Sequence, residues 1–327
     1  MIFVVTAKDV AALAGVSIGS VSNYLNGRHQ RKATAEKIKT AMTQLDYHQN
    51  IIASGLKKNK TMSIGIVINQ LTDFFSMSIV SAIEAYVEKF GYSIIVCDYH
   101  DDKKRLEQKI DFLLKRSIDA IIVFHQDQST PMLEKIANSN IPIVAIDAPI
   151  NGLKTDVVVV NNYDSSKAGV NYLLKKGYRH IGIITGSSEN YIAQKRQQGY
   201  EDALKENGLT VKNSYIWSGD YTIKSGYEGF NRLIKQNPDL DAIFIINYYM
   251  SLGAIKAYRE KDHQPNIEFL VYDHFFVNDL FFPEISSIEQ PVKQIGTTAG
   301  KLVIAKLTNP AETSCQTVYC RNIFHQM

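Results

Sequence analysis

The stretch Ala11–Gly27, AALAGVSIGSVSNYLNG, decides how the start of this chain is read, because it holds two short helical patterns broken at Gly15. With successive residues about 100° apart around a helix, Val21 and Leu25 share one face of the second pattern, and Gly19, Ser20 and Asn23 share the opposite one. One face packs; the other is small, polar and free. Thr6 with Asp9 three positions later makes a capping-box variant before the first helix, and Ser17 is placed to cap the second. Gly15 supplies the turn between them. The pattern is that of a helix-turn-helix, whose second helix enters a DNA major groove. A third helix is expected next, with Thr34 as its cap and Ile38, Ala41, Met42 and Leu45 as its apolar stripe, so that three helices enclose one small core.

Charge supports that reading. Residues 1–60 hold nine lysines and arginines against three acids, a net +6, whereas the whole chain is +3, which leaves −3 for residues 61–327. A basic small module on a mildly acidic body suits binding to a phosphate backbone, where each neutralised phosphate releases counterions.

A length of 327 residues with 45% hydrophobic content allows two or three domains with sizeable cores and excludes a disordered or fibrous chain. No apolar run approaches the roughly 20 residues of a membrane span, and MIFVV at the start lacks the features of a signal peptide. A cytoplasmic protein without membrane contact is expected. Cys97, Cys315 and Cys320 lack metal-ligand spacing and read as reduced structural thiols. His100, His125 and His274 follow strand-like runs without metal-ligand company and read as pocket rims or satisfied polar groups. No nucleophile with an identifiable base, no P-loop and no dinucleotide fingerprint appears, so neither catalysis nor a cofactor or metal is expected.

From about Met62 the texture changes to short β-branched runs at intervals of roughly 30 residues, the size of a βαβ unit. SIGIVI (63–68), SIIVCDY (93–99), DAIIVF (119–124) and IPIVAID (141–147) form one series. HIGIIT (180–185), the more ambiguous SYIWSG (214–219), DAIFII (241–246) and IEFLVYD (267–273) form a second. Two doubly wound parallel-sheet subdomains follow, with a ligand pocket expected in a cleft between them, beyond the carboxyl ends of the strands. Between head and body, QNIIASGLKKNKT (49–61) is short, basic at its end and contains Gly55.

These residues resemble the LacI/GalR family of bacterial transcription regulators. The head matches in KDVAALAGVS and SVSNYLNG, the linker in Asn50, Ala53 and Leu56, and the body in RQQGY, MSLGAIKA, LVYD and SIEQPVKQIG, so the likeness spans nearly the whole chain. The resemblance implies an all-α helix-turn-helix head over 1–48, a hinge over 49–61, and a periplasmic-binding-protein-like α/β body over 62–327. It implies an N-subdomain of about 62–160 and 291–318, a C-subdomain of about 161–290 and 319–327, and crossovers near Val160, Gln290 and Val318. Asp46, Gln49, Asn161 and Tyr248 depart from the family pattern, the last two at positions that bear on effector chemistry.

The resemblance also assigns roles. Ile18, Gly19 and Asn23 are placed toward base edges, Ser17 and Ser20 near phosphates, and Thr6, Asn26, His29, Asn50 and Ala53 complete the DNA-binding set. Leu56 matches a minor-groove wedge that kinks a central base step. Asp147, Arg196, Asn247 and Asp273 are placed around the effector cleft, with Phe75 as an aromatic surface for a sugar face. The expected protein is a homodimeric regulator of a sugar-utilisation operon, without a tetramerising tail, on pseudo-palindromic operator DNA. Its expected effector is a sugar or sugar derivative. A nucleobase or a protein co-effector is the alternative, and a sugar-binding module without DNA function a more distant one.

Overall fold

Local chemistry starts each helix of the head. Thr6 opens α1 (Ala7–Ala14): its Oγ1 accepts from the Asp9 amide while the Asp9 carboxylate accepts from the Thr6 amide at 2.8 Å, a complete capping box. Gly15 ends α1 in the left-handed conformation at φ 63°. Ser17 Oγ accepts from the Ser20 amide at 3.1 Å at the start of α2 (Ile18–Leu25). The third helix, α3 (Lys32–Gln44), corrects one expectation. It begins before Thr34, whose amide already donates to the Arg31 carbonyl at 2.9 Å, so Thr34 lies inside the first turn and Arg31 precedes the helix without a side-chain cap. Val10, Ala11, Ala14, Val21, Ile38 and Ala41 form the buried core, with Leu25, Met42 and Leu45 packed against it. Asp46 follows α3 at φ 48°, a conformation Asp tolerates better than most residues.

The computed structural model describes residues 5–25, 28–47, 60–124, 129–261, 266–275, 278, 285–309 and 314–326. The chain divides into two units, Met1–Met62 and Ser63–Met327.

In the second unit, apolar runs become parallel strands, and the inner strands of each sheet are buried almost throughout, as expected when helices cover both faces of a sheet. The first sheet contains β1 (Ser63–Ile68), β2 (Ser93–Asp98), β3 (Ala120–Phe124), β4 (Ile143–Ile146) and β5 (Asp156–Val160). Their spatial order is 2-1-3-4-5, with β11 (Thr317–Cys320) added beside β5, and every pairing is parallel. Helices α4 (Phe74–Val87), α5 (Lys103–Lys115), α6 (Pro131–Ala137) and α11 (Val292–Thr308) accompany it. The second sheet repeats the order with β6 (Ile181–Thr185), β7 (Ile216–Ser218), β8 (Ala242–Ile245), β9 (Glu268–Tyr272) and β10 (Ser286–Glu289). Its last strand, β12 (Ile323–His325), runs antiparallel to β10. The accompanying helices are α7 (Asn162–Lys175), α8 (Tyr191–Glu206), α9 (Ile223–Gln236) and α10 (Tyr248–Arg259).

The chain therefore passes between sheets after β5, after β10 and between β11 and β12. The third passage falls at Arg321–Asn322 rather than at Val318, because β11 pairs with β5 along its whole length, Thr317 to Cys320. Asn322 fixes the passage by donating from its amide to Asn161 Oδ1 at 3.0 Å and from Nδ2 to Tyr272 Oη at 2.9 Å. Glycines let α9 and α10 touch: a Cβ on Gly226 would collide with the Met250 carbonyl, and one on Gly253 with the Ile223 carbonyl. That contact sets the amino-terminal turns of both helices beside the carboxyl ends of β7 and β8.

Candidate functional site

In a 2-1-3-4-5 sheet the chain leaves neighbouring strands in opposite directions between strands 1 and 3, and ligands bind beyond the carboxyl ends there. The two lobes present two such points, at β1/β3 and at β6/β8. Backbone strain gathers at the same ends. His100 and Asp101 follow β2 at φ 51° and 55°, Asp147 follows β4 at 75°, Tyr221 lies after β7 at 66°, and Asp273 follows β9 at 71°. Such conformations cost of order 1 kcal/mol each in non-glycine residues and persist where the surroundings fix them, commonly at binding sites. Asp147 and Asp273 are equivalent in the two lobes, since their amides donate to Val158 and Ile288, each on the following strand.

Arg196 lies on α8 and is buried, 5% exposed. Its Nε donates to Asn162 Oδ1 at 2.8 Å, its Nη1 donates to the Ile246 carbonyl at 2.5 Å, and its guanidinium lies 3.5 Å from the Tyr272 ring centre. The guanidinium thus ties β8, α7 and β9 together at their cleft ends. It also favours the ionised form of Asp273, whose carboxyl is pushed up by burial. Asp273 accepts from Gln290 Nε2 at 2.6 Å and from the Tyr248 amide at 3.3 Å. Asn247 caps α10 by accepting from the Met250 amide at 3.2 Å, which leaves its Nδ2 for other partners.

Of the two adjacent aromatics at the start of α4, Phe75 lies on the buried 75/79/83/87 stripe, 7% exposed, and Phe74 faces the other lobe. Phe74 meets Phe275 edge to face at 4.5 Å, and Phe275 meets Tyr248 at 4.7 Å. Tyr249 closes the same edge of the cleft: its Oη accepts from the Phe74 amide at 3.2 Å and donates to the Thr72 carbonyl at 3.0 Å. Sequence reading did not single out Phe74, Tyr249 or Tyr221. The Tyr221 ring packs over Gly186, its Oη is buried without a hydrogen-bond partner, and burial pushes its pKa up to about 12. Asn69, after β1, donates from Nδ2 to Asp101 and likewise keeps a buried, unpartnered Oδ1.

His100 Nε2 lies 3.1 Å from Asp98 Oδ2; His274 Nδ1 lies 2.7 Å from Ser287 Oγ, and its ring stacks on His325 at 4.1 Å. His125 lies outside the described residues. Cys97 and Cys320 are buried thiols and Cys315 is exposed. Among the described residues no group of three metal-ligating side chains is found, and no helix is long and apolar enough to cross a membrane.

In the head, Ile18 is 52% exposed and Gly19 is exposed, with nothing nearer to a hypothetical Cβ than Ser17 Oγ at 3.6 Å. Packing within the head therefore does not require glycine there. Ser17 Oγ and Ser20 Oγ lie 3.0 Å apart, Asn23 is half-buried one turn further on, and the exposed His29 places Nδ1 3.1 Å from the Gln30 carbonyl. Thr6 is engaged in its cap. Asn26, Asn50, Ala53 and Leu56 lie outside the described residues.

Residues 6–50 match the family model described as bacterial regulatory proteins, lacI family, and residues 61–325 match periplasmic binding proteins and sugar binding domain of LacI family. The chain belongs to the LacI family. It is 30% identical over 311 residues to the HTH-type transcriptional repressor PurR of Haemophilus influenzae (strain PittEE), covering 94% of this chain and 92% of that one. Against PurR of Pasteurella multocida (strain Pm70) it is 28% identical, covering 94% and 93%. Two solved structures share the fold over 98% of both chains. The Lac repressor dimer bound to operator and the anti-inducer ONPF has a TM-score of 0.87 at 22% identity, and a complex of the transcriptional regulator CelR with cellobiose has 0.75 at 23%. As a LacI-family member the chain is a DNA-binding transcriptional repressor with an effector-binding body, and not an enzyme.

Proposed function

We propose that this LacI-family chain is a homodimeric repressor of a sugar-utilisation operon, released from or held on its operator by a sugar or sugar derivative bound between the two lobes. The observation that carries the effector site is convergence. Strained Asp147, Tyr221 and Asp273, buried Arg196 and the unpartnered oxygens of Asn69 and Tyr221 all sit at strand carboxyl ends. Helix caps alone do not require that grouping. In this reading Arg196, Asp147, Asn247, Asp273 and Tyr221 hold hydroxyl groups, and Phe74 rather than Phe75 offers an aromatic face, because Phe75 is committed to the core of its lobe.

Ile18, Gly19 and Asn23 read base edges while Ser17 and Ser20 meet phosphates, with Thr6, Asn26, His29, Asn50 and Ala53 in support and Leu56 as the wedge. Dimerisation follows from reading length: one helix-turn-helix contacts too few bases, and two need half-sites related by a two-fold axis. A nucleobase effector is the second reading, favoured by the extent of the likeness to the PurR repressors. Trp217, the only tryptophan, lies on β7 with its indole against Gly229 and Arg232 of α9, so its fluorescence reports on the packing of that lobe. Titrating its fluorescence with uncharged sugars and with nucleobases, in parallel with operator binding, tests the reading. A compound that changes both signals at one concentration identifies the effector. A compound that changes operator affinity while leaving Trp217 and Arg196→Ala behaviour untouched would place control elsewhere.

A further inference from the structure

We infer that the cleft accepts an uncharged, donor-rich effector and rejects phosphorylated or carboxylated ones, an inference that rests on the proposed cleft site. The connections that leave the carboxyl ends of the strands carry seven described carboxylates: Asp73, Asp101, Asp102, Asp147, Glu189, Asp220 and Asp273. Among the described residues they carry two cations, Lys154 and Arg321. Lys154 stands two residues before β5 and therefore at the opposite, amino-terminal edge of its sheet, and Arg321 is exposed in the passage between β11 and β12. The adjoining stretches 125–128, 276–277 and 279–284 contain no lysine or arginine in their sequence. Asp102 and Asp220 accept hydrogen bonds from the Arg105 amide and from Thr222, and their carboxyls are held below the usual range, so both stay ionised.

Arg196 is the buried cation among these acids, with two of its donor nitrogens already committed to Asn162 and the Ile246 carbonyl, while the exposed Lys104 and half-buried Arg105, in the first turn of α5, offset Asp102 and Asp98. The unpartnered polar atoms have the same bias. Asn69 Nδ2 and Gln290 Nε2 donate to the carboxylates of Asp101 and Asp273, which can only accept, and this fixes which end of each amide is the oxygen. Asn69 Oδ1 and Gln290 Oε1 are therefore buried acceptors that lack a donor, with Gln290 6% exposed. A sugar hydroxyl supplies a donor to each such oxygen. A phosphate dianion supplies acceptors alone, leaves those oxygens without a donor, and would add negative charge beside an excess of carboxylates.

The test challenges the full-length chain on an operator fragment with the small-molecule extract of bacterial cells. The extract is first split on an anion exchanger into a retained, anionic fraction and an unretained, neutral and cationic one. The unretained fraction is expected to change operator affinity at least about fivefold and to change Trp217 fluorescence at the same dilution, with the retained fraction inert. Any activity in the retained fraction that is lost on phosphatase treatment, or that co-elutes with a carboxylate, overturns the inference while leaving the cleft site standing. Inactivity of both fractions overturns the proposed small-molecule control itself, and this inference with it. As a matched probe, glucose and glucose 6-phosphate are added at equal concentration. Tighter binding of the phosphate, read by Trp217, also overturns the inference.

Discussion

Replacing Tyr249 by phenylalanine removes one oxygen from the edge of the cleft and leaves the ring against Tyr248, 5.5 Å away, in place. That oxygen is both acceptor and donor between lobes, to the Phe74 amide and the Thr72 carbonyl. Phe74 is the first residue of α4, where an amide has no partner within its own helix, so Tyr249 satisfies a group the helix itself leaves open. Each bond contributes about 0.5–1.5 kcal/mol net, and both partners are exposed enough for water to replace the lost oxygen. The lower half of the summed range applies, about 1–2 kcal/mol, which shifts the closed-to-open ratio of the lobes by roughly 5- to 30-fold. Hydrogen exchange read at the Phe74 amide is the direct assay. Tyr249→Phe should speed exchange there by about that factor, while Met77, whose amide donates to the Asp73 carbonyl inside α4, keeps its wild-type rate. An unchanged rate at Phe74 would show that the clasp does not hold the lobes, and equal acceleration at Met77 would show damage to the helix instead.

Arg196→Ala strips two charge-assisted bonds and strands the Asn162 and Ile246 oxygens, so denaturant unfolding of the body should lose about 3–6 kcal/mol. Effector response should vanish, locking the mutant in its unliganded behaviour; wild-type stability or response would refute the assignment. Asn23→Ala should cost about 1–3 kcal/mol on the preferred operator and relax one position per half-site, which binding-site selection reads. Leu56→Ala should reduce operator bending and leave effector affinity intact, as circular-permutation gel assays with parallel effector titrations would show. The Asp9 carboxyl is lowered from 3.8 chiefly by its bond to the Thr6 side chain. Its contribution to head stability is therefore present above that value and lost as pH falls through the lower folded pKa. The melting temperature of the head should drop on acidification below about pH 4 in wild type and less steeply in Asp9→Asn.

What sequence reading could reach follows from burial. Runs such as SIGIVI and DAIIVF are apolar on consecutive residues and rich in Ile and Val because both faces of their strands are covered, and the strands fall within or on the expected bounds once polar flanks such as His180 and Asp241 drop off. β5, DVVVV, carries the same continuous signal and was passed over, whereas the other strands not read as such differ in kind. β10 is SSIE, β11 exposes Tyr319 at 66%, and β12 exposes Ile323 at 50%, so none shows a continuous apolar run or strict alternation. Thr34 has the composition of a cap, yet position in the turn and not composition decides capping, and Arg31 already closes the first bond. The burial of Phe75 was legible in the i, i+4 stripe running on to Ile79, Ile83 and Val87. Tyr221 and Tyr249 carried no local signal. A left-handed backbone at one and a reach across to another lobe at the other are products of tertiary structure, invisible in GDYT and NYYM.

The central claim is that this chain reads a symmetric DNA site and that a ligand between its lobes controls the reading. Selection of full-length protein on random duplex DNA, repeated with and without the unretained small-molecule fraction, tests both parts in one measurement. The account predicts enrichment of a pseudo-palindrome whose half-sites lie about one helical turn apart, with occupancy changed at least fivefold by the fraction in wild type and unchanged in Arg196→Ala. Enrichment of no sequence, or of an asymmetric site whose occupancy ignores the fraction, would contradict it.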